Sequence, residues 1–102
     1  MRRAWLTRSA QKDLDAIWDY VVRESQSFEI ASAAVDVIIK RFPALDQSPH
    51  IGRHRDDFGS GIRSFPAGNY IIYYREVRGR LHILRVIHAK RDQKSAFFEK
   101  PH

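Results

Sequence analysis

The stretch from Tyr70 to His88 constrains this chain more than any other. Two runs rich in aromatic and β-branched residues, Tyr-Ile-Ile-Tyr-Tyr-Arg-Glu-Val (70–77) and Leu-His-Ile-Leu-Arg-Val-Ile-His (81–88), flank Arg78-Gly79-Arg80. Such runs joined by a short turn containing Gly read as an antiparallel hairpin. The second run is apolar on both alternations, with Leu81, Ile83 and Ile87 on one and Leu84 and Val86 on the other. A strand patterned this way sits centrally, with both faces covered at least in part.

The covering material lies upstream. A short strand is expected over residues 3–7, after which Thr7 or Ser9 can cap a helix by accepting an orphan amide of its first turn. Ala10, Leu14, Ile17, Trp18, Val21 and Val22 recur at helical spacing, with Lys12, Asp15, Asp19 and Arg23 opposite. Residues 24–27 break that pattern, and Ser27 can cap a second helix whose stripe is Ile30, Ala34, Val37, Ile38, Arg41, Phe42 and Leu45. Ala31, Ala33 and Ala34 would let the two helices approach closely, as a helical hairpin. Pro43 interrupts this stripe, so the helix should kink or end near Phe42, with a further turn before Pro49. Residues 48–61, with Pro49, Gly52, Gly59 and Gly61, read as a loop. A short strand over 62–66 follows, stopped by Pro66-Ala67-Gly68. The order β-α-α-β-β-β predicts an α+β fold, a helical hairpin packed on a small antiparallel sheet. A chain of 102 residues is expected to form one domain over its whole length, 1–102.

Charge is uneven. Lys and Arg number 18 against 12 Asp and Glu, a formal +6, yet from Gly59 onward the only acids are Glu76, Asp92 and Glu99. The C-terminal half is cationic, which favours a polyanion, either nucleic acid or an acidic protein. No cysteine is present, which excludes a disulfide framework, a thiol nucleophile and a thiolate zinc site. His50, His54, His82, His88 and His102 lack metal-ligand spacing, and no Gly-rich phosphate loop or nucleophile elbow occurs. No cofactor is expected. Neither a signal peptide nor a membrane-length apolar run is apparent, so a soluble, cytoplasmic domain is expected.

Several segments, in order, resemble one family. Ala10-x-x-Asp13-Leu14-x-x-Ile17-Trp18-x-Tyr20 is similar to the first helix of ParE toxins, and Pro49-x-x-Gly52-Arg53 to the loop after their second helix. Residues 61–75, from Gly61-Ile-Arg63 through Phe65-Pro66-Ala-Gly68-Asn69-Tyr70 to Tyr73-Tyr74-Arg75, resemble their first hairpin. Residues 83–92, Ile-Leu-Arg-Val-Ile-His-Ala-Lys-Arg-Asp, closely match their last strand and its exit. The resemblance spans about residues 4 to 95. It implies the RelE-like fold of the ParE/RelE superfamily, membership of a type II toxin–antitoxin pair, a cognate acidic antitoxin (ParD-like or other) that folds onto the toxin, and poisoning of DNA gyrase rather than catalysis.

Relatives on the same fold cut mRNA on the ribosome, so the site must choose. A metal-free nuclease would draw on His88, Arg85 and Arg63, with Arg91 and Tyr73 or Tyr74 in support. Such relatives commonly place a catalytic Tyr, or a His-Tyr or His-Phe pair, near the C-terminus, whereas here Phe97-Phe98 stand there and no Tyr follows Tyr74. On the binding reading, Arg63, Tyr73, Arg75, Arg85, His88, Arg91, Phe97 and Phe98 form the antitoxin or target surface. Arg85, inside an apolar strand, needs a carboxylate. A groove for an acidic partner is favoured for it, with Asp92 as the internal rival. The bland alternatives are that His88 bonds a nearby carbonyl or carboxylate, that Arg63 and Arg75 are solvated sheet charges, and that Trp5, Trp18, Phe42, Phe65 and Tyr73 are core. Phe97 and Phe98 either close the sheet edge or stay exposed for a partner. A plain basic DNA- or RNA-binding domain is the third reading; direct nucleic-acid contact is secondary in the leading one.

Overall fold

The computed structural model describes residues 4–99. Its sheet has the order β1-β5-β4-β3-β2. Strands β3 (Arg63–Ala67), β4 (Tyr70–Val77) and β5 (Arg80–His88) form the expected antiparallel meander. β1 (Trp5–Leu6) adds parallel to β5, and β2 (Arg53–His54) pairs antiparallel to β3. β5 is therefore interior, as its double-sided apolar pattern requires. At the β4–β5 turn Arg78 and Gly79 both take positive φ, 53° and 75°, the geometry of a two-residue hairpin whose twist matches its strands.

The helices cover one face. α1 (Arg8–Ser25) begins at Thr7, whose hydroxyl accepts from the Ala10 amide at 3.1 Å, and ends at Gln26 in the left-handed region. α2 (Phe28–Ile39) is capped by Ser27 as expected. Ala10, Leu14 and Ile17 of α1 and Ile38 of α2 pack with Ile72, Tyr74, Leu81, Ile83 and Val86 of the sheet.

The second helix departs from its expected stripe. α2 stops at Ile39, and α3 (Phe42–Gln47) starts anew, contributing buried Phe42 and Leu45. Pro43 thus falls in the first turn of a helix, where no intrahelical acceptor awaits its missing amide. Ending α2 early leaves its rotation free to follow Ala31, which is fully buried. Ile30 and Val37 turn outward and are about half exposed (54% and 45%). Trp18 is likewise only half-buried, stacked on exposed Phe28 at 5.5 Å. Trp5, expected in the core, is 55% exposed.

The other sheet face carries a second apolar cluster of Phe58, Ile62, Tyr73, Ile87 and Ala96, with Phe97 against it. It is closed by the 55–62 segment and by α4 (Gln93–Phe97), capped at its start by Asp92. Phe58 stacks on Tyr73 at 5.1 Å, so the segment read as a polar loop carries an anchor. A bulge separates the register pairs Tyr73–Arg85 and Tyr74–Ile83. It places Ile87 on the face opposite Leu81 and Ile83, whereas unbroken alternation put the three together. Pro66, expected to stop β3, lies inside it. β2 reaches only Ser64 and Arg63, so beyond them β3 has an open edge that tolerates a residue without an amide.

Candidate functional site

β1 is two residues long, so it leaves most of the edge of β5 without a strand. α1 completes that edge with side chains. The Thr7 hydroxyl donates to the Leu84 carbonyl at 3.0 Å, and the Asp13 carboxylate accepts the Val86 amide at 2.8 Å. The same carboxylate receives Arg85 in two bonds, Nε at 2.7 Å and Nη2 at 2.9 Å. β1 pairs only with His82 and Ile83, which leaves the Val86 amide to Asp13, and the Arg85 guanidinium spans from α1 to α4. Its Nη1 donates to the carbonyls of Ala96 at 2.6 Å and Phe97 at 3.1 Å. Bidentate pairing of this kind is among the strongest charge-assisted arrangements, and the hydrogen bond from Asp13 raises the Arg85 guanidinium's pKa above its ordinary value.

Arg85 is therefore spoken for. Its partner is neither a groove-bound visitor nor Asp92 but Asp13. The clue was present: Asp13 falls three residues after Ala10 and four before Ile17, an acid inside the apolar stripe. A carboxylate there needs a buried donor.

Tyr73 is also committed. It is fully buried, its hydroxyl donates to Gln93 at 2.7 Å, and burial raises its pKa. Gln93 in turn donates to the carbonyls of His88 and Arg91 at 2.8 and 2.9 Å, fixing the exit from β5. Arg63, read in the bland alternative as a solvated sheet charge, donates to the carbonyls of Gly52 at 2.9 Å and His50 at 3.2 Å. Tyr74 clamps the same turn, accepting from the Gly52 amide at 2.8 Å and donating to Pro49 at 2.7 Å. The Pro49-x-x-Gly52 spacing is thus explained by a turn that must meet a buried phenol. Arg75 remains exposed. Phe97 lies over the second sheet face against Phe58 and Tyr73, while Phe98 is 56% exposed.

Among the described residues, the His88 ring bonds neither a carbonyl nor a carboxylate. Its Nδ1 accepts from the Lys90 amide at 3.1 Å, and its ring meets Tyr70 edge-on at 5.1 Å. That bond leaves Nε2 as the donor of a neutral imidazole. The trio suggested for cleavage does not converge. Arg63 stands level with Tyr74 and, across it, with Ile83; His88 lies five residues further along β5, about 16 Å at the rise of a strand.

Where α1 runs beside the end of β5 a groove of about 470 Å³ opens. Ala16, Ile17 and Val86 give it an apolar floor, Tyr20 and Tyr70 stand at its sides, and His88 and Arg91 reach it from the exit segment. Arg91 is half exposed and pairs at 2.9 Å with Glu99, itself half exposed. Such a surface pair contributes little and exchanges readily. Asp13, at the groove's inner end, is neutralised by the buried Arg85, so a visiting carboxylate meets no unpaired acid there and needs only to displace Glu99 to reach Arg91. The groove suits a chain segment that brings an apolar side chain and a carboxylate.

A helical hairpin packed on a five-stranded sheet, with a groove open where α1 meets the end of β5, defines a small α+β domain of the binding kind rather than one built round a cofactor-like cleft. The fold aligns with a chain of a solved structure described as "Chromosomal ParDE TA system from P. aeruginosa", with a TM-score of 0.74 and 28% identity over 88% of this chain and 98% of that one. Residues 5–93 match the family described as "ParE toxin of type II toxin-antitoxin system, parDE". Two Caulobacter vibrioides proteins are similar: Toxin ParE3, 32% identical over 85% of this chain and 86% of that protein, and Toxin ParE1, 29% identical over 81% and 84%. The chain belongs to the ParE toxin family of type II toxin–antitoxin systems.

Proposed function

We propose that this protein poisons DNA gyrase, blocking replication in the bacterial cytoplasm, and that a cognate acidic antitoxin silences it by laying a segment along the groove between α1 and β5. The observation that carries the reading is the groove itself: an apolar floor with Arg91 at its lip, beside an internal ion pair that keeps its own acid from repelling a carboxylate. A segment ordered only on binding would seat an apolar anchor on Ile17 and Val86 and exchange Glu99 for its own carboxylate on Arg91. The dispersal of His88, Arg63 and Arg85, the last locked by Asp13, supports a binder over the alternative, a ribosome-dependent mRNA endonuclease.

The test is plasmid supercoiling by purified gyrase with and without this chain. The expected outcome is lost supercoiling and accumulated linear plasmid, both reversed by the antitoxin. Unimpaired supercoiling at a large molar excess of folded toxin would overturn the target, and cleavage of translating mRNA would then be the outcome to seek.

A further inference from the structure

The sheet face opposite the helices is covered only in part. α4 and the 55–62 segment lie over the half that holds Tyr73 and Ile87. Toward the β4–β5 turn none of the described elements lies over the same face. Leu81 and Ile83 are buried against the helices, so the intervening His82 and the preceding Arg80 point the other way. The register sets Trp5, His82 and Arg75 side by side across three strands, and Val77 beside Arg80 in the next row. Arg78 stands in the adjoining turn. A shallow concavity of about 580 Å³ lies among Trp5, Val77, Arg78, Arg80 and His82.

Three features of this patch call for a ligand rather than for stability. First, Trp5 is 55% exposed although its strand is fixed to β5. Its indole has the Arg80 guanidinium 5.9 Å from its centroid and the His82 ring 6.5 Å away. Second, Arg78 occupies a left-handed position, φ 53°, where Asn or Gly would be unstrained, and it sets a cation at the rim of the concavity. Third, the concavity is lined by cations and apolar groups, with no acid among its described residues. Glu76, opposite Leu81 in the register, lies toward the helical face beside Tyr74 and Arg63.

We infer that this part of the sheet face binds an unpaired strand of DNA, with the Trp5 indole stacking on a base and Arg75, Arg78 and Arg80 meeting the phosphates. Aromatic platforms set among cations are the general solution to single-strand binding, because every base has a π face and every link a charge. An acidic protein surface would satisfy the cations but leave the indole without a matching plane. The choice of DNA over RNA rests on the proposed gyrase target, whose substrate is DNA; the surface itself stands without it.

The test is fluorescence anisotropy of a labelled strand of about a dozen thymidines, titrated with the full purified chain at several salt concentrations. Affinity is expected to fall with salt, and Arg75→Ala, Arg78→Ala or Arg80→Ala to flatten the logarithmic slope by about 0.7 each, the single-strand value per phosphate. Trp5→Ala should weaken binding by about fivefold or more at an unchanged slope, with Trp5→Phe recovering much of it. Unchanged melting curves would show that these variants are folded. Wild-type affinity in Trp5→Ala, equal affinity for duplex of the same length, or displacement by polyglutamate as effective as by DNA would each overturn the inference. Tighter binding of the matching uridine strand would overturn its assignment to DNA. A chain that stops gyrase yet ignores the strand sinks this inference alone; one that binds the strand and spares gyrase upholds it and sinks the proposed target.

Discussion

The Asp13 carboxylate and the Arg85 guanidinium meet across 72 residues of chain in two bonds of 2.7 and 2.9 Å, and the Val86 amide shares the same carboxylate. The pair ties the first helix, the central strand and, through the Ala96 and Phe97 carbonyls, the last helix into one unit. Removing either member strands its partner with little access to water, since the two side chains are only 9% and 14% exposed. Asp13→Ala or Arg85→Ala should each cost about 3–5 kcal/mol of unfolding free energy. An apolar double replacement, Asp13→Leu with Arg85→Met, should recover most of that loss, because no unpaired charge remains. Urea denaturation of the single and double variants measures this; losses that simply add would refute the coupling.

Gly52 is held against the Tyr74 phenol so closely that a Cβ there would overlap the hydroxyl it bonds. Tyr74 is fully buried and cannot swing away. Gly52→Ala is therefore expected to destabilise by about 1–3 kcal/mol through overpacking. Tyr74→Phe, which leaves the Gly52 amide and the Pro49 carbonyl without their partner, should lose a similar amount. Combining the two removes the overlap with the hydroxyl but leaves the ring carbons 2.7 and 2.8 Å from the new Cβ, so the double variant should recover only part of the Gly52→Ala loss. Thermal melts of the three proteins decide it.

Thr7 serves two elements with one hydroxyl, capping α1 and donating to the open edge of β5 at Leu84. Thr7→Val keeps the shape and deletes both bonds. A cap alone is worth about 0.5–2 kcal/mol, and the variant should fall at the upper end of that range in chemical denaturation. Thr7→Ser should stay close to wild type.

Alkali should unfold this protein through its tyrosines. Burial raises the pKa of Tyr70, Tyr73 and Tyr74, so the folded state keeps protons that the unfolded chain releases near pH ~10. That stabilisation is complete below the unfolded value and is lost as pH rises through the folded ones. The urea midpoint should be level approaching pH ~9 and fall steeply beyond pH ~10. Tyr74→Phe should lower the whole curve yet make its alkaline limb shallower. A midpoint indifferent to pH across that range would contradict the assignment.

Arg91 tests the groove without testing the fold, because its pair with Glu99 is exposed on both sides. Arg91→Glu should leave the melting temperature within about a degree or two, as expected of a surface change. Antitoxin affinity should drop about tenfold or more, which is about 1.4 kcal/mol. Calorimetric titration with the antitoxin's toxin-binding segment reads it directly, and undiminished affinity would place the antitoxin elsewhere.

The hairpin of β4 and β5, both long helices and the caps at Thr7 and Ser27 were legible because each rests on local signals: alternation, helical spacing, and a hydroxyl before an apolar run. The break before Pro43 was half legible, since a proline announces that a helix cannot continue but not where the chain restarts. The site residues were harder. Arg85 was singled out as a charge inside an apolar strand and Tyr73 as either a site residue or core, but the groups that occupy them lie far away in sequence, on α1 and α4. The exposed side of Trp5 had no local signal either, as a two-residue strand has too few alternations to choose a face.

The sequence alone determined the repertoire: which segments form helices and strands, that β5 must be covered on both faces, and that charge gathers in the second half. Those properties depend on residues a few positions apart, whose spacing sets which side chains share a face. The tertiary structure decided the pairings. A bulge at the middle of β5 reset which residues share a face, a two-residue β1 left the edge to α1, and Asp13 reached Arg85 across most of the chain. Bulges and ion pairs between distant elements follow from how the elements dock, and docking is a property of the assembled surfaces rather than of any window of sequence.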